Sequence, residues 1–313
     1  MIEPETHPLV PYAGGWSTVG LEASRRLARR LGRAFLDKVE ELTGEDIEAR
    51  LEALRVHQNE AGFDPFGWDP EVARYALASA ALLHRLYFRT EVHGAERVPP
   101  RGRLLVVANH AGQLPFDGMV LAATLILDVE PPRLPRSMVE RWSAQLPFVS
   151  VFFPRTGQVV GSPENARRLL QREETIIVFP EGSRGISKPI TRRYRLEPFG
   201  LGFMRLALET RTPILPVAIV GSEEQYVSVA NLKRIAGLLG MPALPIVPQL
   251  ALGLWAPLPV KYRLYFGEPM HFEGDPDDED DVVERKVWAV RTAIERMLEQ
   301  GLARRKRLRD IFF

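Results

Sequence analysis

The sequence predicts an α/β fold: a central mixed, mostly parallel sheet flanked by helices, with an N-terminal helical appendage. Three observations predict it. From residue 90 onward, short apolar runs rich in β-branched residues alternate with stretches of helical length and pattern, as in a sheet whose strands are separated by helices. Polar clusters follow directly after several of those runs, at the strand ends where such sheets place their sites. Residues 17–58, by contrast, read as helical and polar without a strand-like run. The expected division is an appendage over residues 1–70 and one domain over 71–313.

The elements follow in order. Arg25, Arg29 and Arg33 fall four apart, with Arg26 and Arg30 beside them and Leu27, Leu31, Ala34 and Phe35 on the other face. Such a basic amphipathic helix suits either an anionic membrane surface or a solvated face on a packed helix. Phe63 to Pro70 is a turn-rich aromatic junction. Val72 to Phe88 reads as an apolar helix in which His84 falls at helical spacing with Ala73, Leu77 and Ala80, a helix-packing or partly exposed histidine and not a ligand. Leu104 to Ala108 is a short buried strand, followed by a helix over about 117–128, a weak strand at 136–139 and an apolar segment, Phe148 to Phe153, that ends in Pro154-Arg155. Pro163 near a first turn starts a helix to Gln171. Thr175 to Phe179 and Ile214 to Val220 are strong strands around a helix near 200–210, and a late strand spans 261–266. An acidic run over 273–281 leads into the last helix, 281–300, where negative charge is favourable.

Two stretches carry open alternatives. Residues 235–260 are apolar, and Pro242, Pro245, Pro248, Pro257 and Pro259 forbid one continuous helix. The stretch is a buried connection, or a flap that touches lipid or an acyl chain. The basic residues from Arg304 to Arg309, followed by Phe312 and Phe313, form a solvated tail or a membrane contact.

Composition narrows the function classes. The chain has 313 residues, 45% hydrophobic and 26% charged, with a net charge of +1. The near-zero charge, and basic residues without interleaved exposed aromatics, argue against a nucleic-acid partner. There is no cysteine, which removes thiol nucleophiles, disulfides and cysteine metal sites and fits a reducing compartment. Met1 to Thr6 does not read as a secretory signal, and no run of about 18 apolar residues predicts a spanning helix. A cytoplasmic protein, peripheral on the inner face of the membrane, is the expectation. Phosphate-loop, Gly-x-Ser-x-Gly and paired-histidine metal motifs are missing from the sequence, so no metal site is expected.

The chain is organised around residues 104–118. A strand runs straight into Asn109-His110, and seven positions later Asp117 falls in the first turn of a helix. A carboxylate on one ring nitrogen leaves the other free to take a proton, the arrangement of a general base. On these residues alone, a satisfied loop histidine and an ordinary helix-cap aspartate is the commoner outcome. The next polar cluster, Pro180-Glu181-Gly182-Ser183-Arg184, stands at the end of the 175–179 strand, so the two can share one cleft.

Asn109-His110 with Asp117, Phe153-Pro154-Arg155, Phe179-Pro180-Glu181-Gly182-Ser183-Arg184 and Pro213-Ile214-Leu215-Pro216-Val217 occur in the order of the four sequence blocks of the glycerolipid acyltransferase family. Over residues 90–270 the chain resembles that family, typified by 1-acylglycerol-3-phosphate acyltransferases. The resemblance implies transfer of a fatty acyl group from acyl-CoA or acyl carrier protein to a hydroxyl of a lysophospholipid or glycerolipid, without a bound cofactor. It assigns His110 as base and Asp117 as its orienting acid, and places Arg155, Glu181, Gly182, Ser183 and Arg184 at the acceptor, with the two arginines converging on a phosphate. The family's usual spacing has four residues between histidine and aspartate, whereas six intervene here, as in the branch that resembles mono- and diacylglycerol acyltransferases. The alternative is a catalytically inactive lipid-binding or membrane-remodelling protein of the same fold.

Overall fold

The computed structural model describes residues 18–60, 62–141, 146–232, 245–305 and 309–312. Its sheet contains β1 (Glu91–His93), β2 (Leu104–Ala108), β3 (Pro135–Val139), β4 (Val159–Val160), β5 (Thr175–Val178), β6 (Ile214–Val220) and, after a β7–β8 pair at Ala230–Asn231 and Pro245–Ile246, β9 (Arg263–Phe266). The strand order is β1-β9-β6-β2-β5-β3-β4. β6, β2, β5, β3 and β4 run parallel, and β9 pairs antiparallel to β6 with β1 parallel to β9. The sheet is therefore mixed and mostly parallel. β2 lies at its centre, flanked by β5 and β6.

The helices are α1 (Thr18–Thr43), α2 (Ile47–Glu52), α3 (Pro70–Leu82), α4 (Phe116–Leu127), α5 (Val149–Arg155), α6 (Pro163–Gln171), α7 (Ser183–Ile186), α8 (Gly202–Thr210), α9 (Pro248–Ala251), α10 (Asp280–Ala303) and α11 (Arg309–Phe312). Local chemistry sets several starts. Asp69 accepts from Glu71 N and Ser162 from Asn165 N, each just before a proline at the first helical position, the preferred arrangement for that turn.

All five residues of β2 are fully buried, which explains a run without polar alternation. Leu105 and Val107 face a layer built from α6, α8 and α10. Leu104, Val106 and Ala108 face Val120, Leu121 and Leu125 of α4, with Phe88 and Tyr262. A third cluster joins Val39 of α1 and Ile47 of α2 to Leu77 of α3 and Ile126 of α4. Among the described residues, no helix is long and apolar enough to cross a membrane.

The structure refines the sequence reading in four places. The helix expected to Phe88 becomes a π-helical turn over Leu83–Tyr87, and His84 inside it is wholly buried, with Nε2 2.9 Å from Thr124 Oγ1. The 148–153 segment is part of helix α5, with Phe148 and Phe152 exposed. Of residues 235–260, positions 235–244 lie outside the described residues; Val247 and Val260 are buried, whereas Leu252, Leu254 and Trp255 are exposed. Of the basic tail, residues 306–308 and 313 lie outside the described residues; Arg305 bonds buried Glu224 at 2.7 Å, and the Ile311 carbonyl accepts from Lys261 N.

Candidate active site

The parallel strands β2, β5 and β6 end on one edge, and the segments that leave them carry the polar residues. Crevices at this edge are where α/β sheets bind ligands. Asn109, directly after β2, is buried and replaces a missing strand pair: its Nδ2 donates to Ile219 O at 3.0 Å, and its Oδ1 accepts from Ile219 N at 2.7 Å. β2 is thereby held against β6 to its last residue. The chain then turns out of the sheet at His110.

His110 Nδ1 lies 2.8 Å from Asp117 Oδ2. The same oxygen accepts from Ala111 N, and Asp117 Oδ1 accepts from Gly118 N, both at 2.8 Å. Asp117 is thus a fully buried carboxylate in the first turn of α4, where the N–H groups of a helix start face an anion favourably. An acceptor carboxylate on Nδ1 fixes the proton there and leaves Nε2 with its lone pair. No described residue bonds Nε2. The His110 ring stacks on Phe179 from the end of β5, 4.2 Å between centroids and 21° between planes.

Glu181 takes a different part from the one the sequence suggested. Its side chain is buried and its oxygens are occupied: Oε1 accepts from His110 N at 2.9 Å, and Oε2 from Glu197 N at 2.7 Å and Lys188 Nζ at 3.2 Å. It therefore holds the backbone of His110. Lys188 is itself buried and also bonds Glu223 Oε1 at 3.0 Å. Burial alone would lower the Lys188 pKa, but Glu223 and Glu181 outweigh it and hold it up. Burial pushes the Glu223 carboxyl up to about 7 against the pull of Lys188.

Gly182 precedes the short helix α7, which carries Ser183 and Arg184. Arg184 is exposed, and its Nη2 donates to Pro198 O at 2.8 Å. Gly185 lies so close to His110 that a Cβ there would sit 2.6 Å from the His110 carbonyl oxygen. Arg155 is a correction. β3 and β4 are parallel, so α5 must return the chain to the edge where strands begin. Two residues beyond Arg155, a Cβ on Gly157 would meet the carbonyl of Pro135, the first residue of β3, at 3.0 Å. The two arginines do not converge.

Sequence reasoning missed Lys188, Glu223, Gln225 and the stacked Phe179. The acidic pair Glu223-Glu224 just after the 214–220 strand was a usable signal by the same strand-end rule that singled out His110. Lys188 offered none, because its partners are 7 and 35 residues away in sequence.

The acyltransferase family model matches residues 89–220. Similar proteins include an uncharacterized protein of Mycobacterium leprae, 38% identical over 259 residues that cover 80% of this chain and 70% of the relative. Human 1-acyl-sn-glycerol-3-phosphate acyltransferase alpha is 30% identical over 178 residues, 53% of this chain and 59% of that one. The fold is similar to the crystal structure of the 1-acyl-sn-glycerophosphate acyltransferase of Thermotoga maritima, with a TM-score of 0.50 and 20% identity over 90% of this chain and 98% of that one.

Proposed function

Because the chain belongs to the acyltransferase family, we propose that it moves a fatty acyl group from acyl-CoA or acyl carrier protein to a hydroxyl of a lysophospholipid or other glycerolipid, with His110 as general base. The observation that carries this reading is the 2.8 Å contact between His110 Nδ1 and buried Asp117, with Nε2 open at the strand-end edge. A lipid hydroxyl is a weak nucleophile near neutral pH, and a positioned base removes its proton as it attacks. Nε2 takes that proton, the hydroxyl oxygen bonds to the thioester carbonyl carbon, and the carbon–sulfur bond breaks. The proton then passes to the departing thiolate, so ester and free thiol leave and His110 is regenerated. With the thioester as the activated donor, the transfer balances without a cofactor. Asp117 stabilises the imidazolium formed on the way.

The loop Gly182, Ser183 and Arg184 is the part we assign to the polar end of the acceptor, Arg184 supplying a cation where a phosphate is present. Membrane contact is part of the same reading. Leu114 in the His110–Asp117 connection, Phe148 at the start of α5, and Leu252, Leu254 and Trp255 beyond β6 are exposed, and all leave the sheet at the edge that carries His110. Apolar side chains ringing a catalytic edge let a peripheral enzyme reach an acceptor in the bilayer.

The test is His110→Ala, followed by thiol release from acyl-CoA with and without a lysophosphatidic acid acceptor. The ring is largely held by a loop, so the variant folds, and its acceptor-dependent thiol release disappears. Near wild-type turnover by the folded variant rules out the base assignment.

A further inference from the structure

We propose that the cleft on the sheet edge opposite His110 is a binding site for a soluble phosphorylated small molecule of nucleotide size. The cleft opens where strands begin: its wall is formed by residues 53–57, 100–102, 131–134 and 173–175, and Pro135 and Thr175 start β3 and β5. Its volume is about 630 Å³, within the range of small-molecule sites. β2 separates the two edges by five residues, roughly 16 Å at the rise of a strand. A molecule held here does not touch His110.

Three guanidinium groups, of Arg55, Arg101 and Arg133, line this cleft. Arg55 and Arg101 are exposed, and Arg133 is 7% exposed. Arg133 donates to the carbonyls of Pro99 and Gly102, which shapes the turn before β2. Among the described residues it makes no ion pair with a carboxylate. Arg136, three positions on, shows the contrast: it is fully buried and answered by Asp64 and Glu174. Burial, then the charge of Arg55, push the Arg133 pKa down to about 10. A buried cation beside a second cation is relieved by an anion.

The two acids on the wall offset this charge only in part: Glu174 gives Oε2 to Arg136 while its Oε1 has no hydrogen-bond partner among the described residues, and Glu173, 3.9 Å from Arg103, draws the Arg133 pKa upward. The same wall also carries a hydroxyl donor. Thr175 is 1% exposed, and among the described residues its Oγ1 has no hydrogen-bond partner. A phosphate oxygen accepts from such a hydroxyl and from guanidinium forks together. Leu54 and Leu134 supply apolar wall for the body that carries the phosphate. The exposed apolar side chains assigned to lipid contact lie on the other edge, which makes the ligand a soluble molecule and not a bilayer headgroup.

The experiment is calorimetric titration of the full chain with AMP, with inorganic phosphate, and with vesicles of phosphatidic acid as separate probes. The expected result is saturable binding of one AMP per chain, weaker binding of inorganic phosphate at the same place, and no displacement of AMP by the vesicles. Arg55→Gln with Arg101→Gln, both exposed positions, weakens AMP binding at least about tenfold, the scale of a lost charge-assisted contact. Thr175→Val weakens it several-fold, roughly as one lost hydrogen bond does, with an unchanged or higher melting temperature that shows the variant to be folded. His110→Ala leaves AMP affinity unchanged, and this separates the cleft from the transfer site. Absence of saturable binding of any phosphate probe, affinity insensitive to these substitutions, or displacement by vesicles each overturns the proposal.

Discussion

Replacing Asp117 by asparagine separates holding the histidine from charging it. The carboxylate accepts three hydrogen bonds, from His110 Nδ1, Ala111 N and Gly118 N. An amide of the same shape has one acceptor oxygen, so its NH₂ must face donors in one of two orientations. With the oxygen toward His110 and Ala111, the NH₂ opposes Gly118 N–H, and a buried clash of donors costs about 1–3 kcal/mol. Nδ1 then keeps its proton and Nε2 its lone pair, but the imidazolium loses its counter-charge. With the amide reversed, the NH₂ meets Nδ1, imposes the other tautomer, and removes the base. Either way the loss falls on the chemical step: general-base catalysis contributes about 10²–10⁴-fold, roughly 3–5 kcal/mol of barrier at 1.36 kcal/mol per decade. The Michaelis constants change little, because Asp117 is buried and meets no substrate. Steady-state thiol release, with thermal unfolding in parallel, measures both parts. A folded Asp117→Asn protein within about threefold of wild-type turnover would refute the dyad, since it would leave no room for an electrostatic role.

Three further outcomes follow from the same geometry. His84 is held neutral, its pKa pushed down to about 3 by burial and then by Arg85; the unfolded chain takes up a proton that the folded one refuses, so stability falls as pH drops from 6.5 toward 3. At up to 1.36 kcal/mol per pH unit, about 2 kcal/mol is lost by pH 5, and urea unfolding at pH 7 and pH 5 should show that loss in the wild type and not in His84→Gln. Lys188→Met leaves Glu181 and Glu223 as buried unpaired carboxylates, a loss of about 3–5 kcal/mol. Burial holds the Glu223 carboxyl up at about 7 even with Lys188 pulling it down, so without that cation it stands higher still and the loss shrinks as pH falls, while turnover drops because Glu181 no longer fixes His110. Flotation with anionic liposomes should be partly reversed by high salt; Leu252→Ser with Trp255→Ser should lower it at least about tenfold, since each side chain contributes about 1.5–3 kcal/mol on burial.

What the sequence made legible was local. The run 104–108 has no polar alternation because both of its faces are covered, and Ser162-Pro163 marks a helix start that the structure places at Pro163. Asp117 was readable because a first-turn acid next to a strand-end histidine is a short-range relation. Arg155 was not, because its place depends on β3 and β4 being parallel. The part Glu181 plays at His110 was unreadable for a similar reason. Its burial is made by donors from residues 110, 188 and 197, and no stretch of chain around it records them. Arg305 read as part of a free tail because Glu224 lies 81 residues away.

The unusual His110–Asp117 spacing is resolved by the same long-range support. Two residues more than the family's usual number separate the pair, yet the ring and the carboxylate still meet at 2.8 Å. The excess is folded outward instead of lengthening the gap. Gly112 and Gln113 take left-handed φ angles of 95° and 65°, which turn the chain sharply out and bring it back to α4. Such a turn loses its shape unless its carbonyls are satisfied. Gln225, fully buried after β6, supplies the donors: its Nε2 bonds Gly112 O at 2.8 Å and Leu114 O at 3.1 Å, while its own Oε1 accepts from Tyr262 at 2.6 Å. A Cβ on Gly112 would lie 2.1 Å from that Nε2, so the glycine is what admits the brace. Dyad geometry in this chain is thus set by β6 and its following residues, through Asn109 before the histidine and Gln225 after it. The number of residues between histidine and aspartate is then free to vary, and the tip of the longer loop, Leu114, is carried to the exposed edge beside the base.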